Sequence, residues 1–518
     1  MAVQCQSTQL KRSNAASERW VLFATVLASS MAFIDATALN VALPAIQTQF
    51  TATGVELLWI VNSYALVVAA LLLLGGALGD HFGRRRIFMA GITIFAVASL
   101  ACGLAAGTRS LIAARAIQGL GAALMIPGSL SLISATFEPS RRGRAIGVWS
   151  ACSVVMTALG PILGGLLAQA GLWRGVFFVN LPLALLSLVI LKVKVPEDID
   201  ETTSRPLDYG GALLSVVGLA SFNYGLIEAA SRGWHDPFVV TGTVTGIICL
   251  AAFARVERRA AAPLLPLDLF HDHTLVAACF QTLCFYSGLF GMMFFLSLNL
   301  IQVQQYDPAF AGLAQLPLML LVVLLSPMAG RLVDRYGPRL PLVIGGTLAS
   351  LGFLVLAQTG LTAGPREYWS SFLPALTLLG LAMGISAAPL STTVMNSVQH
   401  EQTGVGSGIN STLSRLSAVL GVAVLGLVAL LSFEHSLMSQ VSELHLSSEE
   451  TAILANESIK LAEAQPPPGM PVEAAAAVKL EIKRAYITAF RNVSYVCAGT
   501  VGFSTLITAA LIPRRTVS

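Results

Sequence analysis

The stretch Gly76-Ala77-Leu78-Gly79-Asp80-His81-Phe82-Gly83-Arg84-Arg85-Arg86 separates two long apolar runs of this 518-residue chain. A weaker copy occurs as Gly330-Arg331-Leu332-Val333-Asp334-Arg335-Tyr336-Gly337-Pro338-Arg339. In both copies Gly-x-Leu-x-Asp ends an apolar segment and precedes an aromatic residue, Gly and Arg. Glycine allows a tight turn there, and the charged groups are costly in hydrocarbon, so they must lie at the water boundary or pair with each other.

The repetition of this stretch predicts two homologous halves related by duplication. Such parallel repeats are the plan of many secondary transporters. The alternative interpretation is a pair of ordinary basic loops that happen to share a composition.

Composition places the chain in a membrane. Hydrophobic residues make up 55% of the sequence, charged residues only 11%, and the mean hydropathy is +0.75. A soluble protein cannot bury that much apolar surface, whereas a bilayer accepts it in spans of about 20 residues. The net charge of +4 comes from basic residues scattered between spans, which argues against a nucleic-acid partner.

Apolar runs bounded by polar connections predict fourteen transmembrane helices. Alternate connections carry most of the arginines and lysines, so the positive-inside rule predicts that both termini are cytoplasmic. An even number of spans also places both termini on the same side of the membrane, in agreement with the positive-inside rule. The predicted spans are 20–43, 59–79, 87–106, 110–135, 145–170, 176–194, 209–229, 238–254, 274–301, 310–333, 340–360, 371–396, 405–432 and 488–512.

This pattern predicts an all-α polytopic membrane protein with two six-helix bundles and two inserted helices. A cytoplasmic tail (1–19) precedes the N-terminal bundle (20–195), and a linker with the two extra helices (196–273) precedes the C-terminal bundle (274–518). Within the last part, residues 433–487 form a long outer loop with helical-looking flanks at Ser447–Ala464 and Val472–Ala485. We interpret the loop as a solvated excursion; the alternative is a docking surface for an accessory envelope protein.

Two charged residues fall inside predicted spans. Asp35 lies in the first span, where a carboxylate costs about 2.5–3.5 kcal/mol, so we expect it to face a cavity and to exchange a proton for a cation. Arg115 lies early in the fourth span, where it either snorkels to the outer surface or meets carbonyls or a carboxylate. Gln118 and small residues follow it and favour a close helix contact there.

Glycine and proline punctuate the fifth span as Gly160, Pro161, Gly164 and Gly165. Proline removes a backbone hydrogen bond and kinks a helix, while glycines let a neighbouring helix approach. Gly404 and Gly408 predict similar close packing in the thirteenth span.

The sequence contains no motif that indicates catalysis. No glycine-rich phosphate loop with a following Lys-Ser/Thr is present, so ATP is not indicated as an energy source. His271 and His273 lie beside two aspartates in a loop, which is a weak indication of a metal site. We therefore predict a protein that is not an enzyme and has neither a cofactor nor a metal.

Five stretches in order resemble the fourteen-helix drug:proton antiporters of the major facilitator superfamily, the EmrB/QacA-like branch. Gly76–Arg86 is similar to the loop between helices two and three of that family, with His81 where Arg is usual. Arg115–Ala123 resembles its helix-four motif, and Gly160–Gly165 its helix-five antiporter motif. Asp35–Pro44 resembles its first-helix motif, and Trp173–Pro182 is also typical, with Gly175 in place of a usual Trp.

The resemblance implies proton-coupled efflux of hydrophobic, often cationic compounds from the cytoplasmic membrane by alternating access. Asp35, Arg115 and Gln118 would couple protons to substrate, and the proton gradient would replace any cofactor. A periplasmic adaptor protein, docking on the outer loop 433–487, is a further candidate partner. The alternatives are proton-coupled uptake of an organic solute and a non-transporting sensor or assembly protein. The implied latch between conformational states comprises Gly76, Asp80, Gly83, Arg84, Asp334, Arg335 and Gly337.

Overall fold

The computed structural model describes residues 2–52, 54–195, 208–233, 235–260, 265, 267–306, 308–362, 364–399, 402–441 and 446–513. These residues are almost entirely helical. Thirteen of the described helices are long and apolar enough to cross a membrane, and a further helix contains a shorter apolar run, Gly210–Leu226. The structure thus agrees with an all-α membrane protein of about fourteen spans.

The first half of the chain forms six long helices. A short turn of helix, Gly175–Phe178, precedes the sixth and belongs to the same span. The six are α1 (Ala2–Phe50), α2 (Gly54–Phe82), α3 (Arg84–Gly103), α4 (Thr108–Thr136), α5 (Pro139–Gln169) and α6 (Asn180–Lys194).

Two helices follow before the second half begins. They are α7 (Tyr209–Arg232) and α8 (Pro237–Glu257), and they pack mainly against each other, with α7 also contacting α2. An aspartate begins each of them and caps its first turn: Asp208 accepts from the Gly211 amide at 2.8 Å, and Asp236 from the Phe238 amide at 2.8 Å.

The second half also forms six long helices, joined by several one-turn helices. Tyr306 and Tyr368 lie among its connections, and burial raises the pKa of both phenols. The long helices are α9 (His273–Leu298), α10 (Leu316–Tyr336), α11 (Arg339–Leu356), α12 (Leu373–Asn396), α13 (Thr403–Val441) and α14 (Val472–Leu511).

The two halves repeat the same pattern of helix contacts. α1 packs on α5, α2 on α4, and α3 on α4 and α6; in the second half α9 packs on α13, α10 on α12, and α11 on α12 and α14. Across the halves, α2 meets α13 and α5 meets α10. These contacts agree with a duplication, while the domain boundaries themselves remain a prediction.

The two copies of the charged stretch occupy equivalent turns. Gly83 stands between α2 and α3 with φ of 94°, and Gly337 ends α10 with φ of 79°. A side chain is disfavoured in this left-handed region, so glycine is required at both turns. We call the end of the bundle that carries these turns the basic end, because Arg84, Arg85 and Arg86 lie there.

Several helices extend beyond the predicted spans. α1 begins at Ala2 instead of near residue 20, with its side chains described from Ser17 onward. α13 continues to Val441 and α14 begins at Val472, so the predicted outer loop 433–487 is largely helical. Leu454 and Ala464, in the connection between them, are buried in the core of the second half. Part of this segment therefore packs against its own bundle, while many of its described side chains are exposed, and its interpretation as a solvated excursion stays a prediction.

Candidate functional site: a buried ion pair and a closed basic end

Asp35 and Arg115, 80 residues apart in sequence, form an ion pair inside the N-terminal bundle. The Arg115 Nη1 donates to Asp35 Oδ2, and the two side chains are 1% and 0% exposed. Arg115 therefore does not snorkel to the surface. Since the carboxylate and the guanidinium compensate each other, both can remain charged away from water.

Gln118 completes the pair from the next turn of α4. Its Oε1 accepts from Arg115 Nη1 at 2.7 Å, and its Nε2 donates to Asp35 Oδ1 at 2.9 Å. The three residues that the sequence singles out for coupling thus lie in mutual contact. Whether they couple proton and substrate stays a prediction.

The remaining contacts of Arg115 come from α2. Its Nε donates to the Ile60 carbonyl at 3.2 Å, and its guanidinium carbon lies 4.3 Å from the centre of the Tyr64 ring. The ring provides a cation–π contact, which is strengthened because both side chains are buried. The pair therefore joins α1, α2 and α4.

A second layer of polar groups links this network to α3 and α6. Gln118 Nε2 lies 3.2 Å from Ser99 Oγ, and Asn180 Nδ2 donates to the same oxygen at 2.9 Å. Ser99 in turn donates to the Phe177 carbonyl at 3.0 Å. Sequence reasoning missed Ser99 and Tyr64, because neither residue type is unusual in a span.

The glycines of α5 pack against α1 beside Asp35. A Cβ on Gly160 would overlap the Thr37 hydroxyl, and one on Gly164 would overlap the Ala38 carbonyl. Gly165 is less constrained, since a Cβ there would make ordinary contact with Val41 at 3.7 Å. The helix-five motif therefore fixes the distance between α5 and the part of α1 that carries the acid.

At the basic end, Asp80 binds the first turn of α13. Its two carboxylate oxygens accept from the Gly404 and Val405 amides, each at 2.9 Å, and Arg84 Nε lies 3.1 Å from Oδ1. A carboxylate at a helix N-terminus satisfies free amides and interacts favourably with the helix dipole. Gly76 and Gly404 touch through their backbones, as their small size predicts.

The second copy makes the matching backbone contact between the other two helices. A Cβ on Gly330 would overlap the Gly143 carbonyl of α5. Arg335 is exposed and lies 5.2 Å from the Tyr336 ring, while the side chain of Asp334 lies outside the described residues. Both copies therefore make a close glycine contact. Among the described side chains, the charged contact with a helix start is the one made by Asp80 in the first copy.

Further contacts close the basic end between the halves. Ser407 Oγ donates to the Pro127 carbonyl at 2.6 Å, and Arg142 Nη1 donates to Asn396 Oδ1 at 2.9 Å. Together with Asp80, they hold α2, α4 and α5 against α12 and α13. The structure is thus a state whose basic end is shut.

His271 and His273, at the start of α9, do not gather metal ligands. Asp272 caps α9 by accepting from the Thr274 amide at 2.8 Å, and His271 is exposed beside Asp268. Across the described part of the chain, no cluster of three or more His, Cys, Asp or Glu side chains could hold a metal.

Comparison with known proteins identifies the family. Residues 25–422 match the family model of the Major Facilitator Superfamily. The chain belongs to this superfamily. Its fold is also that of a solved proton:xylose symporter of the major facilitator superfamily, with a TM-score of 0.62 at 13% identity, covering 97% of both chains.

Curated relatives indicate a group within the superfamily to which the chain is similar in sequence. The chain is 37% identical to the multidrug resistance protein Stp of Mycobacterium tuberculosis over 79% of its length and 75% of that protein. It is 37% identical to the puromycin resistance protein pur8 of Streptomyces alboniger, over 79% and 81%. These relatives place the chain among the drug-resistance transporters of the major facilitator superfamily, the branch that its five motifs resemble. A multi-pass membrane transporter of small molecules, rather than an enzyme, is the supported function.

Proposed function

We propose that this major facilitator transporter exports hydrophobic, often cationic compounds across the cytoplasmic membrane in exchange for protons. The observation that carries the proposal is the buried pair of Asp35 and Arg115. The helix-five glycines pack on α1 close to Asp35, at Thr37 and Ala38. The resistance functions in the names of its relatives support drug export, and the buried acid supports the coupling to protons.

Asp35 can exchange partners when it takes up a proton. Protonation removes the charge that Arg115 neutralises, so the two side chains separate at lower cost. Arg115 then keeps the Gln118 and Ile60 oxygens, which it already binds. The ionised Asp35, once separated from Arg115, can instead attract a cationic group of a compound. Proton and compound therefore compete for one carboxylate, as antiport requires.

Transport across the membrane needs the closed basic end to open. We assign the basic end to the cytoplasm, with both termini on that side, because the arginine-rich turns lie there. The two halves would rock about the level of Asp35, which is the usual motion for repeats of this kind. The Asp80 contacts with α13 would break and re-form in each cycle.

The proposed energy source is the proton gradient alone, without a cofactor. Exchange of one proton for one monovalent cation moves no net charge, so only the pH difference drives it. Export of a neutral compound also uses the membrane potential, worth about 2.3 kcal/mol per elementary charge at 100 mV. Collapse of the potential should therefore slow export of neutral compounds more than export of monovalent cations.

Accumulation of ethidium in a pump-deficient host tests the role of Asp35. Asp35→Asn should abolish the difference in dye accumulation between expressing and empty cells. Asp236→Asn, which removes a carboxylate that caps α8 away from the site, is the matched control and should export normally. Unchanged ethidium export by Asp35→Asn, at equal expression, would remove Asp35 from the mechanism.

We also propose that an envelope adaptor docks on the outer connection between α13 and α14. Val472, 86% exposed at the start of α14, presents an apolar side chain there. Val472→Glu should reduce export from intact cells of a host with a cell envelope of two membranes and leave transport in proteoliposomes unchanged. Equal export from cells by both proteins would contradict the adaptor proposal.

A further inference from the structure

Arg415 is a second positively charged side chain inside the membrane-spanning part of the bundle. It lies within the apolar span Thr403–Gln440 and is half-buried. A guanidinium at such a position costs about 2.5–3.5 kcal/mol and by default serves a function. Among the residues that the structure describes, none forms a hydrogen bond or an ion pair with it.

Helical spacing directs Arg415 toward the N-terminal half. Gly404 and Gly408 contact α2, and Arg415 follows Gly408 by seven residues, which returns it to the same face of α13. Ser417 and Gly421 point about the opposite way, where the Ser417 carbonyl accepts from Ser287 of α9 at 2.9 Å. Arg415 therefore faces α2 across the boundary between the halves.

Arg415 also lies at the depth of the buried ion pair. α2 and α13 run antiparallel, since Gly404 meets Gly76 and Gly408 meets Leu73. From Gly408 to Arg415 the helix rises about 10 Å, and from Leu73 back to Tyr64 it rises about 13 Å in the same direction.

Two hydroxyls near Arg415 also lack partners. The Tyr64 hydroxyl is buried, and its residue is only 3% exposed, yet no described group bonds to it. Thr412 Oγ1 is likewise buried without a described partner, one turn before Arg415 on the same side of α13. Buried polar groups are normally satisfied, so these indicate a place for an additional ligand.

The balance of charge defines the chemistry of that ligand. Three charged side chains interrupt the spans of α1, α4 and α13: the Asp35 carboxylate and the guanidinium groups of Arg115 and Arg415. Asp35 is already neutralised by Arg115, so one positive charge remains. A guanidinium binds a carboxylate through two parallel hydrogen bonds, and a phenol can donate a third.

We propose that Arg415 and the Tyr64 hydroxyl bind a carboxylate of the transported compound. Hydrophobic carboxylates are then substrates in addition to cationic compounds, each class recognised by a different charged residue. This inference rests on the proposed export function and names a second substrate class for the same site.

Rhodamine B and its ethyl ester form a matched pair of probes, because they differ only in whether the carboxylate is free. Export is measured from cells and in proteoliposomes for wild type, Arg415→Gln, Arg415→Lys and Tyr64→Phe, with Arg366→Gln, at an exposed residue, as control. We expect Arg415→Gln to reduce rhodamine B export at least about tenfold, the worth of a charged hydrogen bond, and to leave or raise export of the ester. Arg415→Lys keeps the charge without the planar pair of donors, so its rhodamine B export should lie between that of wild type and that of Arg415→Gln.

Equal loss of both dyes, or loss of neither, in Arg415→Gln would overturn the proposal. If wild type exports neither these dyes nor ethidium, the export function itself has failed, and binding to the full-length protein in nanodiscs decides the carboxylate question. There the proposal predicts that wild type binds rhodamine B more tightly than its ester and that Arg415→Gln removes the preference. Absence of that preference in wild type would overturn it independently of transport.

Discussion

The Thr37 hydroxyl lies 3.0 Å from the Thr157 carbonyl oxygen, which Pro161 leaves without its usual helical donor. The same hydroxyl is within 3.1 Å of the Phe33 carbonyl in its own helix. A hydroxyl has one proton, so Thr37 can serve α1 or α5, but not both at once. The contact links the kink of α5 to the helix that carries Asp35.

Thr37→Val tests this link because valine keeps the shape and removes the donor. We expect a loss of about 1 kcal/mol in the wild-type background, the typical worth of a hydrogen bond, measured by thermal unfolding in detergent. In a Pro161→Ala background the restored amide satisfies Thr157, so the same change should cost little. An equal cost in both backgrounds would contradict the link. Thr347→Val, at an exposed threonine bonded to its own helix, is the control.

Asp80→Asn should weaken the closed basic end. The change keeps one acceptor for α13 and removes the charge that complements the helix terminus and Arg84. We expect about 1 kcal/mol less stabilisation of the closed state, or roughly a fivefold shift in population. Spin labels at the exposed positions Glu138 and Gln399, in a cysteine-free background, measure the separation of the halves. Asp236→Asn removes a similar cap outside this interface, and an equal effect from it would refute the role of Asp80.

Gly330→Ala should disfavour the same closed state at the α5–α10 contact. Its methyl group would overlap the Gly143 carbonyl, and a backbone atom cannot rotate away. Overpacking of this kind costs about 1–3 kcal/mol. The label distance should lengthen and export should fall, whereas Gly312→Ala, with open space around it, should change neither. A Gly330→Ala protein with the wild-type distance distribution would disprove the contact.

The connection between α13 and α14 should depend on pH through Glu450. Ser447 and Glu450 form a capping box at the start of Ser448–Glu457, and hydrogen bonds from the Ser447 amide and side chain lower the pKa of Glu450. A lowered pKa means that the stabilisation is present above the pKa of the unfolded chain and is lost as pH falls through the folded value. The protection factors of the amides in this helix, which compare their exchange rates with those of an unfolded chain at the same pH, should therefore fall on acidification in wild type. Glu450→Gln should show less of this change; an identical pH response in both would contradict the assignment.

The sequence predicts the repeat, the number of spans and the buried acid because each follows from the cost of charge in hydrocarbon. Asp35 and Arg115 interrupt apolar runs, so their burial could be anticipated; their direct pairing needed the fold. Arg415 interrupts the thirteenth span in the same way, so the same rule could have identified it. The contact of Thr37 with Thr157 joins residues 120 positions apart, and no local pattern indicates it.

Helix boundaries were hardest to predict where a helix leaves the bilayer. Hydropathy falls after residue 432, but Leu437 of α13 and Val478 of α14 are both buried in the core of the second half. Protein packing there replaces lipid, so a helix continues with a mixed composition that a search for apolar runs does not detect. The apolar run of α7 is shorter than the helix itself, because the polar residues Asn223 and Glu228 lie near its end. Both are buried, and the helix packs against α8 and α2.

Proton release on substrate addition tests the central claim most directly. Purified wild-type protein, lightly buffered with a pH indicator, is mixed with ethidium, and Asp35→Asn and Asp236→Asn are treated alike. The starting pH is set low enough for Asp35 to hold a proton in the dye-free protein. If substrate and proton compete for Asp35, wild type and Asp236→Asn then release protons in proportion to bound dye, and Asp35→Asn binds dye without release or fails to bind it. Proton release from Asp35→Asn equal to that of wild type would contradict the exchange at Asp35.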